Sequence, residues 1–179
     1  MKIYAIIGSP RKGGNTDILV DKILACTEKS HHEYEKVYLY KNEISPCIDC
    51  RVCKKDDLIC KIKDDMQSIY NKMDVADVII FGTLNYWFGP SAKIKLLIDR
   101  MRPYVANKKL NGKKAILVVP AADGPSVCGP LVEMFRMSFK YLNIEFIGSI
   151  LGTAYEKREI LSDQKALKKA HEIGMSILS

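Results

Sequence analysis

Residues 8–16 read GSPRKGGNT, set between an apolar run, Ile3 to Ile7, and a helical pattern that opens at Thr16. A buried strand, a glycine-rich turn and a helix start, in that order, make a βα junction whose backbone N–H groups can surround an anion. Gly8, Gly13 and Gly14 permit tight turns and close backbone approach. Ser9, Asn15 and Thr16 add side-chain donors, and Arg11 adds a fixed positive charge. An ordinary glycine-rich βα turn needs none of these donors, so their density points to a phosphate. The kind of phosphate is also constrained. The pattern G-x-x-x-x-G-K-[ST] nearly fits from Gly8, but Gly14 stands where the lysine belongs. The dinucleotide pattern G-x-G-x-x-G is absent. A single terminal phosphomonoester fits better than a magnesium triphosphate or a dinucleotide.

Outward from this junction, apolar runs alternate with helical patterns along the 179 residues. Strands are expected at 2–7, 34–40, 77–82, 113–120 and 144–151. The first helix is expected at 16–29, with Asn15 as its N-cap. A second opens at Asp64 and buries Met66, Ile69, Tyr70 and Met73, with Asp64 and Asp65 suited to its positive end. A third carries Ile94, Leu97, Ile98 and Met101 on one face. The fourth spans 129–141, and the last, 162–178, turns Leu167, Ala170, Gly174 and Ile177 inward. Five strands alternating with five helices imply an α/β chain with a doubly wound parallel sheet, one domain over residues 1–179, and right-handed crossovers. Ligands in such sheets bind beyond the carboxyl ends of the strands. The loops that matter are therefore 8–15, 41–63, 83–90 and 120–128.

Composition narrows the function further. The chain is 47% hydrophobic, enough for a packed core, and has no apolar run of about eighteen residues that would span a membrane. MKIYAIIGSP is too short in its apolar part for a signal peptide and reads as a first strand of a cytoplasmic protein. The net charge of +7 comes from scattered basic pairs, among them Lys54-Lys55 and Lys113-Lys114, without the aromatic-basic interleaving that nucleic-acid binding uses. Six cysteines in a reducing compartment point to ligands or redox groups rather than disulfides.

Two further stretches carry chemistry. TLNYWFGPS (83–91) leaves the third strand with Thr83, Asn85, three consecutive aromatics (Tyr86, Trp87, Phe88) and Gly89. Flat aromatics with an amide suit a planar heteroaromatic ring that needs stacking and hydrogen bonds at its polar edge. Core packing accounts for one of the three aromatics, not for all of them at a strand's carboxyl end. CIDCRVCKKDDLIC (47–60) holds Cys47, Cys50, Cys53 and Cys60 at spacing C-x2-C-x2-C-x6-C. Three readings stay open on the residues alone: a [4Fe–4S] cluster, which takes four thiolates from a compact loop; zinc, which favours two separated C-x-x-C pairs; and free thiols, packed or redox-active.

GSPRKGGNT resembles the FMN-phosphate loop of the NAD(P)H-dependent FMN reductase group of flavodoxin-like proteins, and the resemblance spans essentially the whole chain. It implies a three-layer sandwich with strand order 2-1-3-4-5 and helices on both faces of the sheet. It assigns the FMN phosphate to Ser9, Arg11, Asn15 and Thr16, beside Gly14, and sets loop 83–89 against the flavin ring. Leu84 stands where the family usually has proline, and Asn85 adds an amide. The cysteine loop, at about 43–63, resembles that of the iron-sulfur flavoproteins, a branch with C-x2-C-x2-C-x(4–7)-C next to FMN. Asp64, Asp65 and Met66 after it are typical too. Asp49 and Ile59 stand where many relatives have glycine, and Asp49 adds negative charge beside an anionic cluster.

The resemblance implies an FMN-dependent oxidoreductase in which the flavin carries the chemistry and no side chain is a catalytic residue. Electrons would pass between FMN and a [4Fe–4S] cluster, with a ferredoxin-type carrier or NAD(P)H as redox partner and a homodimer or homotetramer as the assembly. A cluster-free NAD(P)H-dependent FMN or quinone reductase is the alternative, and a non-catalytic FMN-binding module a third. Cys26 is expected in the core, Cys128 gets no role, and Asp123 is a turn residue. His31 and His32 are expected in solvent and His171 away from the loops.

Overall fold

The computed structural model describes residues 1–27, 32–55 and 58–178. Strand β1 (Lys2–Ile7) is buried from Ile3 onward. A strand covered on both faces reads as a continuous apolar run, which is why this segment does not alternate. The chain continues through α1 (Asn15–Thr27), β2 (Glu33–Tyr38), α2 (Met66–Val75) and β3 (Val78–Gly82). A small hairpin, β4 (Asn85–Tyr86) and β5 (Gly89–Pro90), precedes α3 (Ala92–Arg100) and α4 (Pro103–Asn107). β6 (Lys114–Ala121), α5 (Gly129–Tyr141), β7 (Glu145–Thr153) and α6 (Gln164–Ser176) complete the order.

The large sheet runs β2-β1-β3-β6-β7, and every pairing in it is parallel. With the five long strands numbered in sequence this is 2-1-3-4-5, the flavodoxin-like order, as expected. One face of the sheet packs on α1 and α6 through residues such as Leu19, Ile23, Ile80 and Ala170. The other packs on α2, α3 and α5 through Met66, Ile94, Phe81 and Phe135. No helix among the described residues is long and apolar enough to cross a membrane.

The element limits differ from the sequence expectation where side chains compete for the backbone. β2 ends at Tyr38 rather than residue 40, because Leu39–Lys41 closes into a 3₁₀ turn. Asn15 is the first residue of α1 instead of its cap. The expected end of that helix at Lys29, and His31 after it, lie outside the described residues. α2 begins at Met66, two residues after Asp64. α3 stops at Arg100 and a separate turn restarts with Pro103 in its first position, since proline cannot donate to the preceding turn. β7 runs two residues past the expected end, to Thr153, and α6 starts at Gln164, where Asp163 accepts the Ala166 N–H at 3.0 Å.

Phe81, Phe135 and Phe139 form a three-ring cluster with centroids 5.2 to 5.7 Å apart, joining β3 to α5. Phe139→Ala is expected to destabilise the chain by about 3–5 kcal/mol. Urea unfolding checks this: the midpoint falls at unchanged m-value.

Candidate functional site

All strands of the large sheet point the same way, so the loops after β1, β3 and β6 emerge at one edge. In the first of them Gly13 is left-handed, with φ 67°. The Gly14 N–H donates to the Arg11 carbonyl at 2.9 Å. A Cβ on Gly14 would stand 2.8 Å from that oxygen, so the turn has no room for the lysine of a triphosphate loop. Ser9 and Thr16 are buried, and Thr16 Oγ1 has no hydrogen-bond partner. An unpartnered buried hydroxyl is destabilising by roughly 1–3 kcal/mol, and an anion oxygen at the helix start would relieve it.

Arg11 and Asn15 reach across to another loop. Arg11 Nη1 donates to the Tyr155 carbonyl at 3.2 Å. Asn15 Nδ2 donates to the Glu156 carbonyl at 2.8 Å, and Asn15 Oδ1 accepts the Ile160 N–H at 3.3 Å. The segment after β7 thus lies against residues 8–16. Sequence reasoning left it out, although it too leaves the carboxyl end of a strand.

Asp17 was also missed. Its carboxylate is buried under the turn and accepts the Gly13 N–H at 2.8 Å, the Tyr38 hydroxyl at 3.0 Å and Lys36 Nζ at 2.7 Å. Burial alone raises its pKa, but the Lys36 ammonium, the Gly13 amide and the Tyr38 hydroxyl together hold it below the ordinary carboxylate value. The signal in the sequence was an acidic residue in the first helical turn, which also suits the dipole.

The loop after β3 is fastened to the first. The Ser91 N–H donates to Thr83 Oγ1 at 3.0 Å, and Ser91 Oγ donates to the Gly8 carbonyl at 2.6 Å. Asn85 Nδ2 donates to the Val127 carbonyl at 3.2 Å, which draws the loop after β6 to the same place, while Asn85 Oδ1 is buried without a partner. Trp87 and Phe88 both have positive φ, 52° and 63°, at the two central positions of the turn between β4 and β5. That is the I′ geometry, normally built from Asn and Gly. Tyr86, Trp87 and Phe88 are 51%, 96% and 56% exposed, so core packing explains none of them.

The four cysteines of residues 47–60 line one cleft together with Arg51, Arg100 and Arg102. Asp49, Arg51 and Leu58 are left-handed, with φ 48°, 62° and 55°. Asp49 thus takes a conformation that glycine adopts most readily, and Asp is one of the side chains that tolerates it. Leu58, rather than Ile59, takes the second left-handed turn. The negative charge of Asp49 is met by Arg51 at 3.2 Å and Arg102 at 3.5 Å. Burial, and then the nearby Cys60 sulfur, push the Cys53 thiol up. Among the described residues no three cysteine, histidine or carboxylate side chains stand close enough to share one metal ion. Among the described residues no disulfide joins any of the six cysteines. Cys128 is fully buried, and Cys26, buried between α1 and α6, lies 3.2 Å from His171 Nδ1.

A larger open groove of about 730 Å³ runs along β7 and α6, past Ser149, Thr153 and Lys165; it takes in Pro125 of the loop after β6 but none of the expected cofactor-binding or cysteine residues. The chemistry lies elsewhere: a doubly wound sheet with a phosphate-type turn at β1 and an aromatic loop at β3 is the frame of a flavodoxin-like flavoprotein. The NADPH-dependent FMN reductase family model matches residues 1–154, and the chain belongs to that family. It is similar to YwqN of Bacillus subtilis, named as an NAD(P)H-dependent FMN-containing oxidoreductase, with 32% identity over 97% of this chain and 96% of the relative. It is 42% identical to an iron-sulfur flavoprotein of Methanocaldococcus jannaschii over 63% of this chain and 58% of that relative. Among solved structures, the Trp repressor binding protein from Bacillus subtilis superposes with TM-score 0.74 at 27% identity, over 96% of this chain and 99% of that one. The protein is an FMN-dependent oxidoreductase, and family membership sets aside an FMN-binding module without turnover.

Asp17→Asn is expected to lose about 2 kcal/mol at neutral pH, less than the roughly 3–5 of a fully buried pair, because Lys36 is partly exposed and keeps Asp21. The folded-state pKa of Asp17 lies below its unfolded value of about 3.9. Its contribution is therefore complete above that value and is lost as pH falls through the folded pKa. Denaturant midpoints at pH 7 and pH 3 check this: the gap between wild type and variant narrows at the lower pH.

Proposed function

We propose that the protein exchanges electrons between FMN and a [4Fe–4S] cluster, with NAD(P)H or an acidic one-electron carrier of the ferredoxin type as its partner. One observation carries the reading. Among the described residues, the buried side-chain atoms without a hydrogen-bond partner are Thr16 Oγ1, Asn85 Oδ1 and Arg100 Nε. One belongs to each expected binding element: the phosphate loop, the ring loop and the cysteine cleft. Orphaned polar atoms are rare in folded chains and mark groups that a ligand completes.

In this reading Ser9, Arg11 and Thr16, with the amides around Gly14 and Asn15, hold the FMN phosphate. Thr83 and Gly89 frame the ring loop, Asn85 Oδ1 accepts from the ring's polar edge, and Tyr86, Trp87 and Phe88 cover its face. Cys47, Cys50, Cys53 and Cys60 hold the cluster. Bound FMN supplies conversion between one- and two-electron transfer, and the cluster supplies single electrons. Helix α3 joins the two sites, Ser91 before it bonding the phosphate loop and Arg100 at its end bonding the cysteine loop. Its nine residues span about 13 Å.

The net charge of +7 favours docking of an acidic carrier. Exposed Met137 and Tyr141 on α5, 64% and 71% accessible, support a homodimer or homotetramer. Cysteines without a disulfide among the described residues fit the reducing cytoplasm.

Protein purified without oxygen is expected to carry about four irons and four sulfides per FMN, with absorption beyond the flavin bands. Flavin without iron would replace this reading with direct NAD(P)H-dependent reduction. Arg11→Ala combined with Thr16→Ala is expected to weaken FMN binding roughly 10- to 100-fold or more, the worth of a hydrogen bond to a charged group. Unchanged affinity by fluorescence titration would sink the phosphate assignment.

A further inference from the structure

Arg100 is 1% exposed, yet it is a fixed cation. Its guanidinium holds both ends of the cysteine loop. Nη1 donates to the Ser45 carbonyl at 2.8 Å and to Asp64 Oδ2 at 2.7 Å. Nη2 donates to Asp64 Oδ1 at 3.1 Å and to the Ile62 carbonyl at 3.4 Å. Asp64 returns to the first end by accepting the Ser45 N–H at 2.8 Å. Residues 45 and 62 are thus gathered onto one side chain, and the four thiols between them share a cleft that this side chain also lines. Four guanidinium hydrogen bonds are made, and the fifth donor, the Nε–H, is buried and unpartnered. Cys60 is close enough to act on Arg100 electrostatically.

We propose that Arg100 is a positioning residue for the sulfur-bound group: it gathers the four thiols, and its Nε–H donates to a sulfur of the cluster they hold. The proposal rests on the cluster reading of the cysteines. A cluster with four thiolates is anionic and gains further negative charge on reduction. A buried N–H donor and cation beside one of its sulfurs stabilises the reduced form and raises the potential, since hydrogen bonds to sulfur and local charge are among the levers that set it. Arg51 and Arg102 also line the cleft, but they are exposed and engaged with Asp49, which screens and neutralises them. Lysine would keep the charge of Arg100 and lose the planar fork that holds two chain ends and a sulfur at once.

The test compares anaerobically loaded wild type with Arg100→Lys, measuring FMN, iron and sulfide content and the cluster's reduction potential. The variant is expected to keep FMN, to take up iron more slowly, and to show a potential shifted below that of the wild type. A fully loaded variant with an unshifted potential overturns the proposal and leaves the cluster reading standing. A wild-type chain that takes up no iron removes both. Wild type labelled with nitrogen-15 only in arginine needs no variant to fold. Its reduced cluster is expected to show an arginine nitrogen coupling by pulsed electron resonance, and the absence of that coupling overturns the proposal.

Discussion

A guanidinium buried as deeply as Arg100 is strongly destabilising unless its charge and its donors are met, and the way they are met organises one end of the molecule. The Asp64 carboxylate neutralises it at 2.7 Å, and backbone carbonyls from residues 45 and 62 fill two more donors. The same carboxylate also accepts the Met66 N–H at 3.1 Å, so Asp64 ties Arg100 to the first residue of α2. Asp65 makes a parallel tie by accepting the Glu43 N–H at 2.7 Å. Tyr70 then donates its hydroxyl to the Arg100 carbonyl, and the ring of Tyr104 packs edge-on against it 5.7 Å away. The loop is held by polar ties to rigid helices, and these offset the conformational entropy lost in ordering it.

A second charge problem sits at the other end of α3. The phosphate turn contains a buried carboxylate, Asp17, at the very place where an anion is expected. Lys36 from β2 answers it, and Tyr38 adds a hydrogen bond, so the net field at the helix start stays favourable to a phosphate. The carboxylate is useful there because it holds the Gly13 N–H and fixes the turn. Edge strand β2, otherwise half-exposed, thereby acquires a specific role in shaping the site.

Backbone strain collects at the same edge of the sheet. Of eight non-glycine residues with positive φ among those described, five lie in the cysteine loop or the aromatic hairpin. Each is disfavoured by on the order of 1 kcal/mol or more. Trp87 and Phe88 are the most telling, since large aromatic residues in a tight turn are held strained and open to solvent, where they bring no packing to the core. Strain kept without a packing return belongs to a surface that meets a ligand or a partner.

The sequence by itself determined the parallel α/β class, and its motifs carried the resemblance that implied the strand order, the layers and the family. Continuous apolar runs specify strands buried on both faces, and the dense donors of GSPRKGGNT mark a βα junction suited to an anion. It also marked the four cysteines as one unit, because C-x2-C-x2-C is a local spacing. Local spacing says nothing about partners that lie far along the chain. That Arg11 and Asn15 bond the loop after β7, that Asp17 is neutralised by Lys36, and that Arg100 closes the cysteine loop are all decided by tertiary packing. These pairs are separated by 19 to 144 residues and meet only when the sheet brings the ends of its strands together. An arginine on the face of an amphipathic helix looks like surface until the fold buries it, and only then do its donors show what they hold.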